Sequence, residues 1–377
     1  MVYPKEMVAA VLYGEGDLRL VDDYPVPEPG AGEVLIRVGA CAICGSDPKI
    51  LAHGWPNHPP YGVPGQRGGF IFGHEYTGEV AALGQGVARG GGVTELNVGD
   101  RVAVEPHKGC GVCDNCRDGL YNTCLNYGEH DKGHRHYGFS ANGGYAEYVC
   151  NHVNSVYRIP DSMSLEEATL ITTAATSLYG IRRIGGIRAG ETVVVSGPGA
   201  IGLMAVTMAR LMGAGTIVLT GTRSERLQVG QQLGADVTVN VREEDAFERI
   251  MGLTGGVGAD AVLECAGTTQ AAVDAVGFCK KNGRVALVGI YAEPAPLDVN
   301  KIVQWNITVA GSKAEGERSM VQALALLGRR DVDLSPLLTH TFPLDQVHTA
   351  FETAEKRLGG AIKVVVQPGR RRQENGF

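Results

Sequence analysis

Thr192-Val-Val-Val-Ser-Gly197-Pro-Gly199-Ala-Ile-Gly202 decides the fold of this chain. Thr192 to Val195 read as a strand, and a helical stretch from Ile201 to Met212 follows the glycines. Between them stands a complete Gly-x-Gly-x-x-Gly. Gly197 permits a tight turn, Gly199 lets backbone approach a pyrophosphate, and Gly202 lets helix pack on strand. Ala200 and Ile201 are expected cofactor contacts as well, and the N-terminal N–H groups and positive partial charge of the helix suit phosphate oxygens. The alternative is an ordinary glycine-rich β–α turn. The apolar strand before it and the apolar helix after it favour a dinucleotide site.

Outward from this point the rhythm from about Pro160 to Val309 is β-α-β. Strands are expected at Thr216–Leu219, Val237–Asn240, Ala261–Glu264 and Arg284–Val288. That alternation predicts a doubly wound parallel sheet with helices on both faces, the Rossmann arrangement. From Val8 to about Ile159 short alternating strands such as Val34–Val38 and Tyr145–Val149 predict a β-rich domain. Ala361–Val366 reads as a strand returning to it. At 377 residues two domains are expected. The divisions fall at 1–160, 161–309 and 310–377, with a cysteine lobe near 105–125.

The end of the second Rossmann strand chooses the dinucleotide. An NAD site would place Asp or Glu there to bond the ribose 2′-OH. Here the chain reads Leu219-Thr-Gly221-Thr222-Arg223-Ser224. Gly221 leaves room for a 2′-phosphate and Arg223 offers a guanidinium to pair with it, so NADP(H) is expected over NAD(H). The alternative makes Arg223 a solvated surface residue and gives the acid's task to Glu225. Ala266 and Gly289, just past two later strands, complete the expected cofactor contacts.

Two groups of residues point to metal. Cys110, Cys113, Cys116 and Cys124 are spaced C-x2-C-x2-C-x7-C, which suits four thiolates around one structural Zn²⁺. Reduced core thiols or two disulfides are the plainer readings. Upstream lie Cys41-Ala-Ile-Cys44-Gly-Ser46-Asp47 and Gly73-His74-Glu75. Cys, His and carboxylate are what a catalytic Zn²⁺ takes, with one position open for water or substrate oxygen. Ser46 supplies a hydroxyl able to accept an alcohol's proton. Taken singly, His74 reads as a structural histidine and Cys44 as a small core residue.

The Cys-Ala-Ile-Cys-Gly-Ser-Asp and Gly-His-Glu-Tyr-Thr-Gly-Glu-Val strings, the cysteine lobe and Gly-Pro-Gly-Ala-Ile-Gly together resemble the zinc-containing medium-chain dehydrogenases. The resemblance covers essentially the whole chain, and the motifs keep the family order. The polyol, threonine and butanediol dehydrogenases form the most similar branch. It implies a GroES-like catalytic domain beside the Rossmann domain, with zinc as Lewis acid and hydride passing between alcohol carbon and nicotinamide. By motif, Cys44 and His74 would ligate zinc, Glu75 would be a direct or alternating ligand, and Ser46 would start a proton relay. The run from Gly221 to Arg223 looks like that of the NADP-dependent secondary alcohol dehydrogenases. Two departures stand out. Polyol members carry a ligating Glu where this chain has Thr172, in Thr169-Leu-Ile-Thr172-Thr173, so the catalytic zinc would be loosely held, absent, or served by Glu75. Lys49 replaces a relay His, and could pass a proton only if burial lowered its pKa. His53–Gly69 and Gly90–Leu96 look like insertions, the first shaping a substrate mouth.

His134 and His136 read as loop residues contacting substrate or solvent. Cys150, Cys265 and Cys279 read as core residues. A net charge of −7 argues against a nucleic-acid surface. No leader or bilayer-spanning run is expected, and nine cysteines suit a reducing cytoplasm. The expected protein is a zinc-dependent, NADP(H)-preferring dehydrogenase of a secondary alcohol in a polyol, cyclitol or sugar-like substrate. Family analogy makes it a homodimer or homotetramer, paired through Asn306–Ala310. Competing readings are an NADPH-binding protein that has lost its catalytic zinc, and a zinc-free reductase of activated double bonds.

Overall fold

A computed structural model describes residues 3–53, 68–87 and 95–369. The chain divides into two compact units, 1–172 with 338–377, and 173–337. The boundaries expected near 160 and 310 therefore fall at 172 and 338. The later one moves because the Rossmann unit keeps a further helix, Ser319–Leu327, which buries Met320, Ala323 and Leu327.

The first unit is β-rich. Its strands are β1 (Glu6–Leu12), β2 (Leu18–Pro25), β3 (Glu33–Ala42), β4 (Glu75–Leu83), β5 (Arg101–Val104), β6 (His107–Lys108), β7 (Arg135–His136), β8 (Tyr148–His152) and β9 (Val156–Arg158). The expected strand at Tyr145–Val149 begins three residues later, because Tyr145 and Ala146 turn toward β1: Ala10 N–H donates to the Tyr145 carbonyl (2.8 Å) and Ala9 bridges Ala146. β3 is the long central strand, antiparallel to both β4 and β8, and its apolar residues Val34, Leu35 and Ile36 are fully buried.

In the second unit follow β10 (Thr192–Ser196), β11 (Thr216–Gly221), β12 (Val237–Asn240), β13 (Ala259–Glu264), β14 (Cys279–Leu287) and β15 (Thr308–Gly311). They pair in parallel in the order β12-β11-β10-β13-β14-β15, so the order in which strands are added switches sides at β10. That is the doubly wound order, with ligands expected outside the carboxyl ends of the strands at the switch. Val193, Val194 and Val195 are fully buried, as an unbroken apolar run in a central parallel strand requires.

The chain then returns through β16 (Leu338–Pro343), the helix Val347–Lys356 and β17 (Lys363–Gln367), which pairs with β3. Phe351 of that helix packs against Phe72 and Tyr145, with 5.4 Å between ring centroids in each pair. The return segment thereby becomes part of the first unit's core.

Candidate functional site

Sheet register builds the first metal cluster. β3 and β4 pair Ala42 with Glu75, so Cys44, just past the end of β3, and His74, just before β4, emerge at one end of the sheet. β17 lies on the other side of β3, where Ile43 N–H donates to the Val364 carbonyl (2.8 Å). One ligand atom from each of Cys44, His74 and Glu75 lies within 4.8 Å of the others. Gly73 makes the approach possible. Its φ is +90°, and a Cβ there would come within 2.7 Å of the Tyr145 ring.

Asp47, quoted in the motif without a role, is fully buried and organises this cluster. Its Oδ2 accepts from the Cys44 N–H (2.9 Å) and the Tyr145 hydroxyl (2.8 Å), while Oδ1 stands 3.2 Å from His74 Nδ1. With Nδ1 facing Asp47, His74 would have Nε2 left for a metal. Burial disfavours the imidazolium, but the Asp47 carboxylate and the Cys44 thiol outweigh it and hold the His74 pKa well above the ordinary value. A metal would displace that proton. The opening of β17 adds a partner absent from the sequence reading: Lys363 Nζ forms a buried ion pair with Glu75 Oε2.

Ser46 Oγ is a buried hydroxyl that makes no hydrogen bond among the described residues. Lys49, by contrast, is exposed on the helix Asp47–His53, so the burial a proton-accepting lysine needs is missing. Thr172 donates to the Val104 carbonyl (3.3 Å) and offers no strong metal donor. The insertions expected at His53–Gly69 and Gly90–Leu96 lie mostly outside the described residues. His134 and His136 are buried, not solvated. β6 and β7 pair His107 with His136, and the His136 ring stacks between His107 and Phe139, with centroids at 3.7 and 3.9 Å. Phe139 in turn lies 4.5 Å from the His74 ring.

The second cluster comprises Cys110, Cys113, Cys116 and Cys124. The sulfurs of Cys110 and Cys116 are 3.9 Å apart, as are those of Cys113 and Cys124. All four are free thiols, which excludes the disulfide reading. Sulfurs about 2.3 Å from one zinc stand about 3.8 Å apart in a tetrahedron, so these residues fit the ion. Partial burial opposes ionisation of Cys110, yet the Val112 and Cys113 amides and the Asn126 side chain pull it down to about 6. Cys279 is fully buried; Cys150 and Cys265 are partly covered, and burial raises all three thiols.

In the second unit Gly197 adopts φ +99°, and its N–H donates to the Thr220 carbonyl (2.9 Å). Gly202 packs on Gly197, where a Cβ would reach 1.9 Å from the Gly197 carbonyl oxygen. The helix Ala200–Leu211 begins after Gly199 without a side-chain cap, leaving its first N–H groups for a ligand. Arg223 and Thr222 are exposed, as is Glu225 in the first turn of the helix Ser224–Gln232. Sequence reading missed Glu264. This buried carboxylate at the end of β13 accepts from the Ala266 (2.8 Å) and Gly267 (2.9 Å) amides and from the Tyr291 hydroxyl. Gly289 lies against it: a Cβ there would be 2.6 Å from Glu264 Oε2.

Residues 30–161 match the GroES-like domain of alcohol dehydrogenases, and 200–329 match the zinc-binding dehydrogenases. Sorbitol dehydrogenase of Bacillus subtilis (strain 168) is 34% identical over 372 residues, spanning 97% of this chain and 99% of that protein. A zinc-binding dehydrogenase of Sinorhizobium meliloti 1021, solved bound to NADP, aligns with TM-score 0.85 and 28% identity over 97% of this chain and 100% of that one. Galactitol-1-phosphate dehydrogenase of Escherichia coli aligns with TM-score 0.83 and 26% identity, covering 96% and 99%. Paired domains in this order, two metal-ligand clusters and relatives aligned end to end lead to one conclusion: the chain belongs to the zinc-containing medium-chain dehydrogenases.

Proposed function

We propose that this protein is a zinc-dependent dehydrogenase that exchanges hydride between NADP(H) and a secondary alcohol or ketone of a polyol, cyclitol or sugar-like substrate. The observation that carries the reading is the convergence of Cys44, His74 and Glu75, with Ser46, two residues from Cys44, offering a buried hydroxyl that has no hydrogen-bond partner among the described residues. When bound, zinc would supply Lewis acidity and the nicotinamide would accept the hydride. Asp47 holds His74 in the tautomer a metal needs. Ser46 accepts the alcohol proton. Cys110, Cys113, Cys116 and Cys124 would hold the second, structural ion.

Gly197, Gly199, Ala200, Ile201 and Gly202 would cradle the pyrophosphate, with Ala266 and Gly289 farther along the sheet's carboxyl edge. Arg223 makes no ion pair among the described residues and is free to meet a 2′-phosphate. Support for NADP(H) comes also from the NADP-bound Sinorhizobium relative, and support for a polyol from the sorbitol and galactitol-1-phosphate dehydrogenases. Oligomerisation would use the edge strand β15, near which Val299 and Val303 of the helix Val299–Gln304 are exposed. We place the protein in the cytoplasm, from its reduced cysteines.

The test combines zinc content per chain with kcat/KM for sugar alcohols, cyclitols and short secondary alcohols, using both cofactors. Two zinc ions and turnover with NADP(H) are expected. His74→Ala should abolish turnover while NADPH still binds. Thr172 motivates the second reading, an NADPH-binding protein without catalytic zinc. One zinc per chain and no turnover across the panel would establish that instead.

A further inference from the structure

Gly221 is a glycine for a reason that phosphate binding does not supply. Its backbone is not in the left-handed region, so any residue could adopt it. Space is what forbids one. A Cβ at 221 would lie 2.4 Å from Pro198 Cδ, 2.5 Å from Pro198 Cγ and 3.3 Å from Leu227 Cδ2. β10 and β11 pair Ser196 with Thr220, and the Gly197 N–H donates to the Thr220 carbonyl at 2.9 Å. That register sets Pro198, two residues past the end of β10, face to face with Gly221, the last residue of β11. The pyrrolidine ring is closed and its φ is fixed, so it cannot swing aside as the tip of a long side chain would. Leu227, buried behind it, closes the other side.

We propose that Pro198, the first variable residue of the Gly-x-Gly-x-x-Gly turn, is a cofactor-specificity determinant acting through Gly221. Its ring fills the volume through which an acidic side chain at the end of β11 would leave the backbone. An acid at that position is the group that accepts the ribose 2′-OH of NAD. With Pro198 in place the chain has no room for it, and recognition at the ribose falls to Arg223. This inference rests on the NADP(H) reading but makes a separate claim. Cofactor choice is set by a packed pair, so exchanging Gly221 alone cannot reverse it. Pro198→Ala removes Cγ and Cδ, the two atoms that obstruct the site.

The experiment compares wild type, Gly221→Ala, Pro198→Ala and their double mutant by thermal unfolding and by fluorescence titration with NADPH and NADH. Gly221→Ala carries no charge and reads packing alone. Forcing a methyl against the ring should lower Tm by roughly 2–12 °C and weaken both cofactors. Pro198→Ala should recover most of that loss in the double mutant. Gly221→Ala with unchanged Tm, or losses that simply add in the double mutant, would overturn the packed pair. In the charged arm, Gly221→Asp should bind both cofactors poorly. Pro198→Ala/Gly221→Asp should shift the NADH-to-NADPH affinity ratio at least tenfold toward NADH. A clean, stable switch by Gly221→Asp alone refutes the role of Pro198 and leaves the NADP(H) reading intact. Wild-type protein that binds NADH more tightly refutes the NADP(H) reading, and the alanine pair still decides the packing claim.

Discussion

Replacing Lys363 with methionine keeps most of the aliphatic stem and removes only the ammonium that faces Glu75. The two side chains are 3% and 5% exposed, so water cannot take over the freed carboxylate charge. Removing one partner of a buried ion pair costs about 3–5 kcal/mol. For a domain of 150–250 residues, each kcal/mol is about 2–4 °C in Tm, so a fall of roughly 6–20 °C is expected. Metal modifies that number. If Glu75 serves the zinc, the cation shares its charge and the loss in metal-loaded protein is smaller. The assay is thermal unfolding of Lys363→Met in the wild-type background and in His74→Ala, which on the proposed reading would keep the four-cysteine ion and give up the other. The larger loss belongs in the His74→Ala background. Glu75→Gln/Lys363→Met, with no charge stranded, should be more stable than Lys363→Met alone. Desolvation opposes the charge, but Glu75 outweighs it and holds the Lys363 pKa above its ordinary value, so the pair's contribution is complete below the ordinary lysine pKa and is lost as pH rises from there through the folded value. The neutral range is therefore safe for the measurement. A Tm within 2 °C of the parent in both backgrounds would refute the reasoning.

Cys113→Ser should lose one zinc by elemental analysis and lower Tm, because metal binding in such a lobe is coupled to folding; full zinc content in the mutant would remove the structural site. Ser46→Ala should cut kcat by about 10²–10⁴-fold at unchanged zinc content, the range for a lost proton-transfer group; unchanged kcat would take Ser46 out of the relay. Arg223→Ala should lose roughly 1.5–3 kcal/mol of a charge-assisted bond. At about 1.4 kcal/mol per tenfold, that is on the order of ten- to a hundredfold in kcat/KM for NADP(H), with NAD(H) unaffected. Equal effects on both cofactors would contradict a 2′-phosphate contact.

Signals that act over a few residues were readable in the sequence. The Gly197–Gly202 turn and its helix are local, and the helix, expected from Ile201 to Met212, runs Ala200–Leu211. The thiol spacing is local too. What escaped depends on distant strands. Lys363 meets Glu75 across 288 residues of sequence, and in Lys363-Val-Val-Val-Gln it reads only as the polar start of a strand. Asp47 looks like a helix-opening acid, and its bond to Tyr145 exists only because β1 draws Tyr145 inward. Gly-His-Arg-His-Tyr-Gly has the composition of a solvated loop. The β6–β7 pairing buries its second histidine against His107, a partner nearly thirty residues upstream. At Gly221 the sequence shows only a missing side chain; the Pro198 ring atoms that close on it belong to a different strand end.

The charge around the first cluster bears on why threonine can stand at 172. Cys44 as thiolate, Glu75 and Asp47 each bring one negative charge, and Lys363 brings one positive. A divalent ion among them would leave the group neutral. If residue 172 faces the metal, as the family resemblance implies, a glutamate there would add a fourth anion where His74, Glu75, Asp47 and Lys363 are already buried. Burying an uncompensated charge costs several kcal/mol after relaxation. Lys363 offsets one carboxylate at this site, and the charges that remain match a divalent ion with a neutral oxygen, from water or substrate, in the open position. On this argument Thr172 would leave a site balanced for one carboxylate ligand, and its hydroxyl donates instead to the Val104 carbonyl of β5 (3.3 Å).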